Sequence, residues 1–125
     1  RTFMSRRPSS SRASGAMTFL DQTDPSWNIA RLRLPTGKPE PVTRFAEGRC
    51  KDYRWAPDGS RIAVVRYIGE TENVWITMPD GSKPVQVTRF PADQIFGLEW
   101  TADSKSLVVS AGKQSNDAVL IRNFR

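Results

Sequence analysis

Trp55-Ala56-Pro57-Asp58-Gly59-Ser60-Arg61-Ile62-Ala63-Val64-Val65 sets a tight turn between two β-prone stretches. Pro57 fixes φ, Asp58 can bond its own backbone, and Gly59 accepts a positive φ. The outline returns at Trp100-Thr101-Ala102-Asp103-Ser104-Lys105-Ser106-Leu107. Trp and Asp are kept there while Pro and Gly are lost, so a less sharply defined turn is expected. The offset from Trp55 to Trp100 is 45 residues, and it also carries Asn73 to Asn28, Pro84 to Pro39, Thr88 to Thr43, Arg89 to Arg44, Phe90 to Phe45 and Asp103 to Asp58. Seven positions aligned at one offset identify a tandem repeat.

A period in the forties, with short β-prone stretches alternating with turn residues, points to a β-propeller in which each repeat supplies one four-stranded blade. Strands are expected over 16–21, 28–34, 40–44, 51–56, 61–67, 73–78, 84–89, 95–101, 106–111 and 117–122. The fold class is therefore all-β, a partial propeller of about two and a half antiparallel blades, with repeats at about 16–45, 46–90 and 91–125. Forty-five residues before Trp55, Asp58 and Gly59 stand Ser10, Ala13 and Ser14, so the first unit is expected to lack its first strand. Met78-Pro79-Asp80-Gly81 and Leu34-Pro35-Thr36-Gly37 read as turns between third and fourth strands. Gly37 and Gly81 are 44 apart, and a β-bulge between Asn28 and Leu34 is the simplest place for the extra residue.

Alternation over 61–67 sends Ile62, Val64 and Arg66 one way and Ala63, Val65 and Tyr67 the other. Apolar residues on both faces suit a blade, which packs against a neighbour on each side. Val74 and Ile76, with Val119 and Ile121 at the same offset, repeat the arrangement, and Trp75 and Leu120 fill the opposite face. Trp55 and Trp100 read as wedges between sheets rather than as ligand-stacking platforms.

The net charge of +6 is unevenly spread. Arg1, Arg6, Arg7 and Arg12 precede the first acidic residue, Asp21, which leaves 15 basic against 13 acidic side chains in the rest. The first 15 residues form a Ser- and Arg-rich tail of disordered composition, able to attract phosphates or anionic lipid only non-specifically. Specific nucleic-acid binding is not expected. The longest apolar runs, Ile62–Val65 and Ala118–Ile121, are four residues each, far below the roughly 18 needed to cross a bilayer. Cys50 is the single cysteine and histidine is absent, which excludes an internal disulfide, a cysteine-based zinc site and any Ser-His-Asp or Cys-His arrangement within the chain. No phosphate-binding glycine loop occurs, and Asp58, Asp80 and Asp103 lack calcium-loop spacing, so no metal or cofactor is expected.

The Trp55–Val65 stretch resembles the TolB-like propeller repeats, relatives of WD repeats marked by a Trp-Ser-Pro-Asp-Gly turn, a basic residue and an apolar strand. Trp55, Pro57, Asp58, Gly59, Trp100 and Asp103 are the positions that carry the structural motif, and the resemblance spans about 16–125. Phe96-Gly97-Leu98-Glu99-Trp100 and the closing Ser115–Arg125 are similar to the C-termini of large bacterial sensor-type proteins, in which such a propeller follows a kinase or winged-helix domain. The resemblance implies a C-terminal piece of such a protein, in a periplasmic or extracytoplasmic setting. Its first partner would be the missing blades of the same protein, without which open sheet edges should drive association. It also places Arg54 and Glu99 on first strands lining a central channel, to pair with each other or to meet a threaded peptide.

The expected function is a non-enzymatic protein- or peptide-binding or sensing module. The alternatives are an accessory propeller of a prolyl-oligopeptidase-type hydrolase and a TolB-like periplasmic scaffold. An extracytoplasmic glycan binder has no aromatic cluster outside the expected core to recommend it.

Overall fold

The computed structural model describes residues 9–10, 16–33, 37–113 and 118–122. The turn expected at Leu34-Pro35-Thr36, most of the basic tail, the closing Asn123-Phe124-Arg125 and the side chains expected to face inward over 118–122 lie outside the described residues.

Three antiparallel sheets are built from eleven strands in this part of the chain. The first blade comprises β1 (Ser9–Ser10), β2 (Ala16–Leu20), β3 (Ile29–Arg33) and β4 (Glu40–Pro41). The second comprises β5 (Arg49–Trp55), β6 (Ile62–Ile68), β7 (Thr71–Thr77) and β8 (Val85–Gln86). The third comprises β9 (Gln94–Trp100), β10 (Ser106–Gly112) and β11 (Ala118–Arg122). Each sheet is a meander whose spatial order follows the sequence. No helix long and apolar enough to cross a membrane occurs among the described residues.

All ten expected strands are present, and three local expectations are corrected. The first unit does not lack its first strand, because Ser10 pairs with Met17 as Trp55 pairs with Ile62. A ladder is made by backbone groups, so this short stretch survives the loss of the motif's side chains. The register between β2 and β3 runs unbroken from Ala16 opposite Arg33 to Leu20 opposite Ile29, with no bulge. Bulges lie on the first strands instead, at Lys51 between Cys50 and Asp52 and at Phe96 between Ile95 and Gly97, 45 residues apart. Finally, the turn after Trp100 is as well formed as the turn after Trp55. Gly59 N–H donates to the Ala56 carbonyl at 2.8 Å, and Ser104 N–H donates to the Thr101 carbonyl at 2.9 Å. Ser104 reaches φ 62° where Gly59 has 75°, so hydrogen bonding holds the left-handed residue without glycine.

The central blade is buried on both faces. Ile62 and Val64 pack with Leu20, Ile29, Val42 and Tyr53 toward the first blade, whereas Ala63, Val65, Val74 and Ile76 pack with Leu98, Leu107 and Val109 toward the third. Burial of these side chains is the main source of cohesion, at roughly 25 cal/mol per Å² of apolar area. Arg66 points with Val64, and its buried guanidinium lies 3.8 Å from the Phe45 ring centre, with Trp75 on a further side at 5.3 Å. Its Nη2 donates to the Glu47 carbonyl. Burial pushes the neighbouring Cys50 thiol up to about 11, with Arg66 acting in the opposite sense.

Candidate functional site

Some of the repeated side chains form a polar clamp made twice. Asn28 Oδ1 accepts from Thr43 Oγ1 at 2.8 Å and from Phe45 N–H at 2.9 Å, while Asn28 Nδ2 donates to the Phe45 carbonyl at 3.0 Å. Asn73 makes the same three contacts with Thr88 and Phe90, at 2.7, 2.6 and 3.1 Å. Each threonine hydroxyl also accepts the N–H of the residue after the asparagine, Ile29 or Val74. The clamp fixes the stretch after the fourth strand onto the start of the third. It accounts for why Asn, Thr and Phe recur at the 45-residue offset.

Beside this scaffold, strands β5 and β9 approach each other. A cleft of about 200 Å³ opens between them, lined by Lys51, Asp52, Arg54, Glu72, Ile95 and Phe96 among others. Glu72 is buried and spans the cleft wall. Its Oε2 takes the Lys51 ammonium at 2.6 Å, and its Oε1 accepts Ile95 N–H at 2.9 Å. Ile95 lies on the edge strand of its sheet, where N–H groups outside the ladder need a partner, and a carboxylate from the neighbouring blade supplies one. The two bulged positions present different chemistry to the cleft rim: Lys51 a cation, Phe96 a ring left 44% exposed.

Next to Lys51 lies a cationic and aromatic surface. The Arg49 guanidinium sits 5.2 Å from the Trp27 ring centre and 6.0 Å from that of Tyr67, and Lys51 Nζ lies 5.7 Å from Tyr67. Trp27 adopts φ 52°, in the left-handed region that is costly for a bulky side chain. The Asp24 turn holds it there. Trp27 N–H donates to the Asp24 carbonyl at 2.9 Å, Asp24 Oδ1 accepts Ser26 N–H, and the Ser26 carbonyl accepts Cys50 N–H from β5.

Arg54 and Glu99 stand at matching positions, opposite Ala63 and Val108. They are not paired with each other. Arg54 Nη1 bonds Asp52 Oδ1 at 2.6 Å, and Glu99 is exposed. Trp55 and Trp100 lie half-buried against the two cores, where Trp55 Nε1 reaches Thr18 of the first blade at 3.2 Å and Trp100 Nε1 reaches the Arg54 carbonyl of the second at 2.9 Å. Pro57 is exposed on the β5–β6 turn. Asp58 accepts from Ser60 and Asp103 from Thr101 and Lys105, and these bonds hold both carboxyls below the ordinary range. Pro57, Asp58 and Asp103 occupy the turn end of the blades, away from the Arg49 surface, whereas Arg54 lines the cleft. Sequence reasoning missed Trp27, Arg49, Lys51, Tyr67, Glu72 and Phe96. The signal was available as a breach of the repeat, since the offset turns Trp27 into Glu72, Arg49 into Gln94, Lys51 into Phe96 and Tyr67 into Gly112. Among the described residues no cluster of three or more His, Cys, Asp or Glu side chains is arranged to hold a metal ion.

No family model matches the chain. A protein of Agrobacterium tumefaciens assigned as TolB superposes with a TM-score of 0.65 at 18% identity, over 84% of this chain and 40% of that one. An oligogalacturonate lyase solved in complex with manganese superposes with a TM-score of 0.67 at 21% identity, over 91% of this chain and 32% of that one. The three sheets are blades of a TolB-like propeller. At these identities the likeness is one of fold alone. Dipeptidyl-peptidase 5 of Porphyromonas endodontalis is 45% identical over 67 residues, which are 52% of this chain and 9% of that protein. The TolB-like blades described here therefore span well under half the length of each of these relatives.

Proposed function

We propose that this chain is a non-catalytic binding module of a larger protein and that it holds a protein or peptide partner at the end of the blades where β5 and β9 begin. One observation carries the reading: of the side chains that do not recur, Lys51 and Phe96 line the cleft between two first strands, and Trp27, Arg49 and Tyr67 form the surface that adjoins Lys51. Propeller-type scaffolds bind through such rims, and side chains freed from the repeat supply the specificity. The absence of a histidine and the pairing of Asp52 with Arg54 and of Glu72 with Lys51 support a binding rather than a catalytic role. A bacterial regulatory protein in an extracytoplasmic setting suits the reading. Photo-crosslinking tests it. A benzophenone side chain at position 96 is expected to capture a discrete partner, and the same group at position 57, on the opposite end, is not. Equal capture from both positions, or none from 96, would count against the proposal.

A second reading is favoured by a separate observation, the 45% identity over 67 residues to a dipeptidyl-peptidase. In that case the blades belong to the accessory propeller of a peptidase, and the same rim admits a peptide substrate rather than a regulatory partner. Peptide hydrolysis by the full-length protein, lost on removal of a domain outside these blades, would select this alternative.

A further inference from the structure

We infer that the surface formed by Trp27, Arg49 and Tyr67 is a carboxylate-reading site for an acidic peptide segment, with Arg49 as its anchor. The inference rests on the rim being a binding surface and specifies what it binds. Arg49 is exposed and takes part in no ion pair among the described residues, whereas the other cations beside the cleft are matched: Lys51 by Glu72 and Arg54 by Asp52. Its guanidinium is positioned by the rings of Trp27 and Tyr67 instead of by a carboxylate. Such contacts restrain the planar group while leaving in-plane N–H donors available, and a planar fork of donors matches a carboxylate in bidentate fashion.

The backbone supports the assignment independently of the charge. Trp27 pays for a left-handed φ of 52°, and the Asp24 turn and the bond from Cys50 N–H to the Ser26 carbonyl keep it there. Strain of this kind persists where the surroundings over-determine it, and it concentrates at ligand clamps. Here the strained residue is the one that carries the ring beside the free guanidinium.

The surrounding charges favour a peptide over a polyanion. Asp24 is part of the turn that carries Trp27, Glu47 is two residues from Arg49, and Glu70 lies on the β6–β7 turn that follows Tyr67. An extended phosphate backbone would meet these carboxylates as well as Arg49, whereas one or two acidic side chains on a peptide can reach the guanidinium alone. Phe96, across the cleft and 44% exposed, offers an apolar contact to a neighbouring ring of the same peptide.

Fluorescence anisotropy on the full-length protein tests the inference. The probes are a labelled Ala-based decapeptide with one central Phe and only a pair of Glu residues, its counterpart with Gln for each Glu, and a labelled ten-nucleotide oligothymidylate. The Glu peptide is expected to bind about 10-fold or more tightly than the Gln peptide, in line with the loss of a charge-assisted hydrogen bond. Arg49→Ala should remove that preference, Arg49→Lys should recover only part of it, and Lys105→Ala, at the turn end, should leave it unchanged. Unchanged melting temperatures for these exposed positions check that folding is intact. Equal binding of the Glu and Gln peptides, an unchanged preference in Arg49→Ala, tighter binding of the oligonucleotide, or binding of none of the probes would overturn the inference. If the crosslinking at position 96 still captures a partner, the binding-module reading survives and only the acidic character of the ligand falls.

Discussion

The two ends of the central blades diverge from the repeat in opposite ways. At the turn end the residues change and the geometry does not: Ser104 replaces Gly59, yet both sit at positive φ and close the same hydrogen-bonded turn. At the other end the backbone bulge recurs 45 residues on, but Lys51 becomes Phe96 and the neighbouring Trp27, Arg49 and Tyr67 become Glu72, Gln94 and Gly112. Backbone features recur because a blade must stack on the next. Side chains at the cleft are released from that demand, and on the binding reading proposed above their divergence serves a partner rather than the packing of blades.

The largest effect is expected where one blade's turn is driven into the next blade. Gly81 has φ +83°, and a Cβ there would overlap the Val42 carbonyl, whereas Gly69, at φ +64°, faces open space. Gly81→Ala combines an unfavourable φ with a backbone clash and should destabilise by about 3 kcal/mol or more. Gly69→Ala carries only the conformational cost, about 1 kcal/mol. Urea denaturation midpoints measure both. Equal losses would mean that the close approach of the two blades is not a requirement of the fold.

The repeated clamp should break in either blade, at a slightly higher cost at Asn28, whose Nδ2 also donates to Asp24 Oδ2 at 3.1 Å. Asn28→Ala or Asn73→Ala strands a buried threonine hydroxyl and the N–H and carbonyl of the following phenylalanine, for a loss of about 2 kcal/mol or more each. If one substitution were tolerated and the other not, the two clamps would be alike in geometry and unlike in energetic role.

Which parts of this comparison were legible in the sequence follows from what repeats. The ten strands, the two apolar faces of the central blade and the inter-sheet tryptophans were readable because stacking imposes a regular pattern on the chain. The first strand at Ser9–Ser10 was not, since its pairing with Met17 and Thr18 uses only main-chain groups. The bulges were misplaced for a similar reason. Nothing in the side chains of Lys51 and Phe96 reports an unpaired backbone position, and the shift between Gly37 and Gly81 pointed to a different part of the blade. The candidate site is hidden in the sequence because its residues do not recur. Arg54 and Glu99 are a charged pair of equivalent positions and so stand out, while the cation left without a carboxylate, Arg49, has glutamine as its equivalent.

The turn end can be titrated as a unit. The side chains of Ser60 and Ser82 and the hydroxyl of Thr101 donate most strongly to Asp58, Asp80 and Asp103, holding each carboxyl below its ordinary range. A carboxyl whose folded value is depressed stabilises the fold above its unfolded value, near pH 4, and loses that contribution as pH falls through the folded value. Thermal melting from pH 6 to pH 2 should therefore decline less steeply below pH 4 in the triple variant Asp58→Asn, Asp80→Asn, Asp103→Asn than in the parent. The effect is small because all three groups lie at the surface. An unchanged slope would place the acid sensitivity elsewhere.

The smallest effect tests why Ser104 persists where glycine would be easier. Its hydroxyl accepts Asp58 N–H from the neighbouring blade's turn at 3.0 Å, so the residue trades a left-handed φ for a link between blades. Removing the side chain with Ser104→Gly relieves about 1 kcal/mol of backbone cost and gives up an exposed hydrogen bond of about the same worth, for a net change close to zero. Ser104→Ala keeps the backbone cost and loses only the bond, and should destabilise by about 0.5 to 1 kcal/mol. A marked gain in stability for Ser104→Gly, with no loss for Ser104→Ala, would mean that the turn-to-turn bond contributes nothing and that the serine is retained in spite of the blades rather than for them.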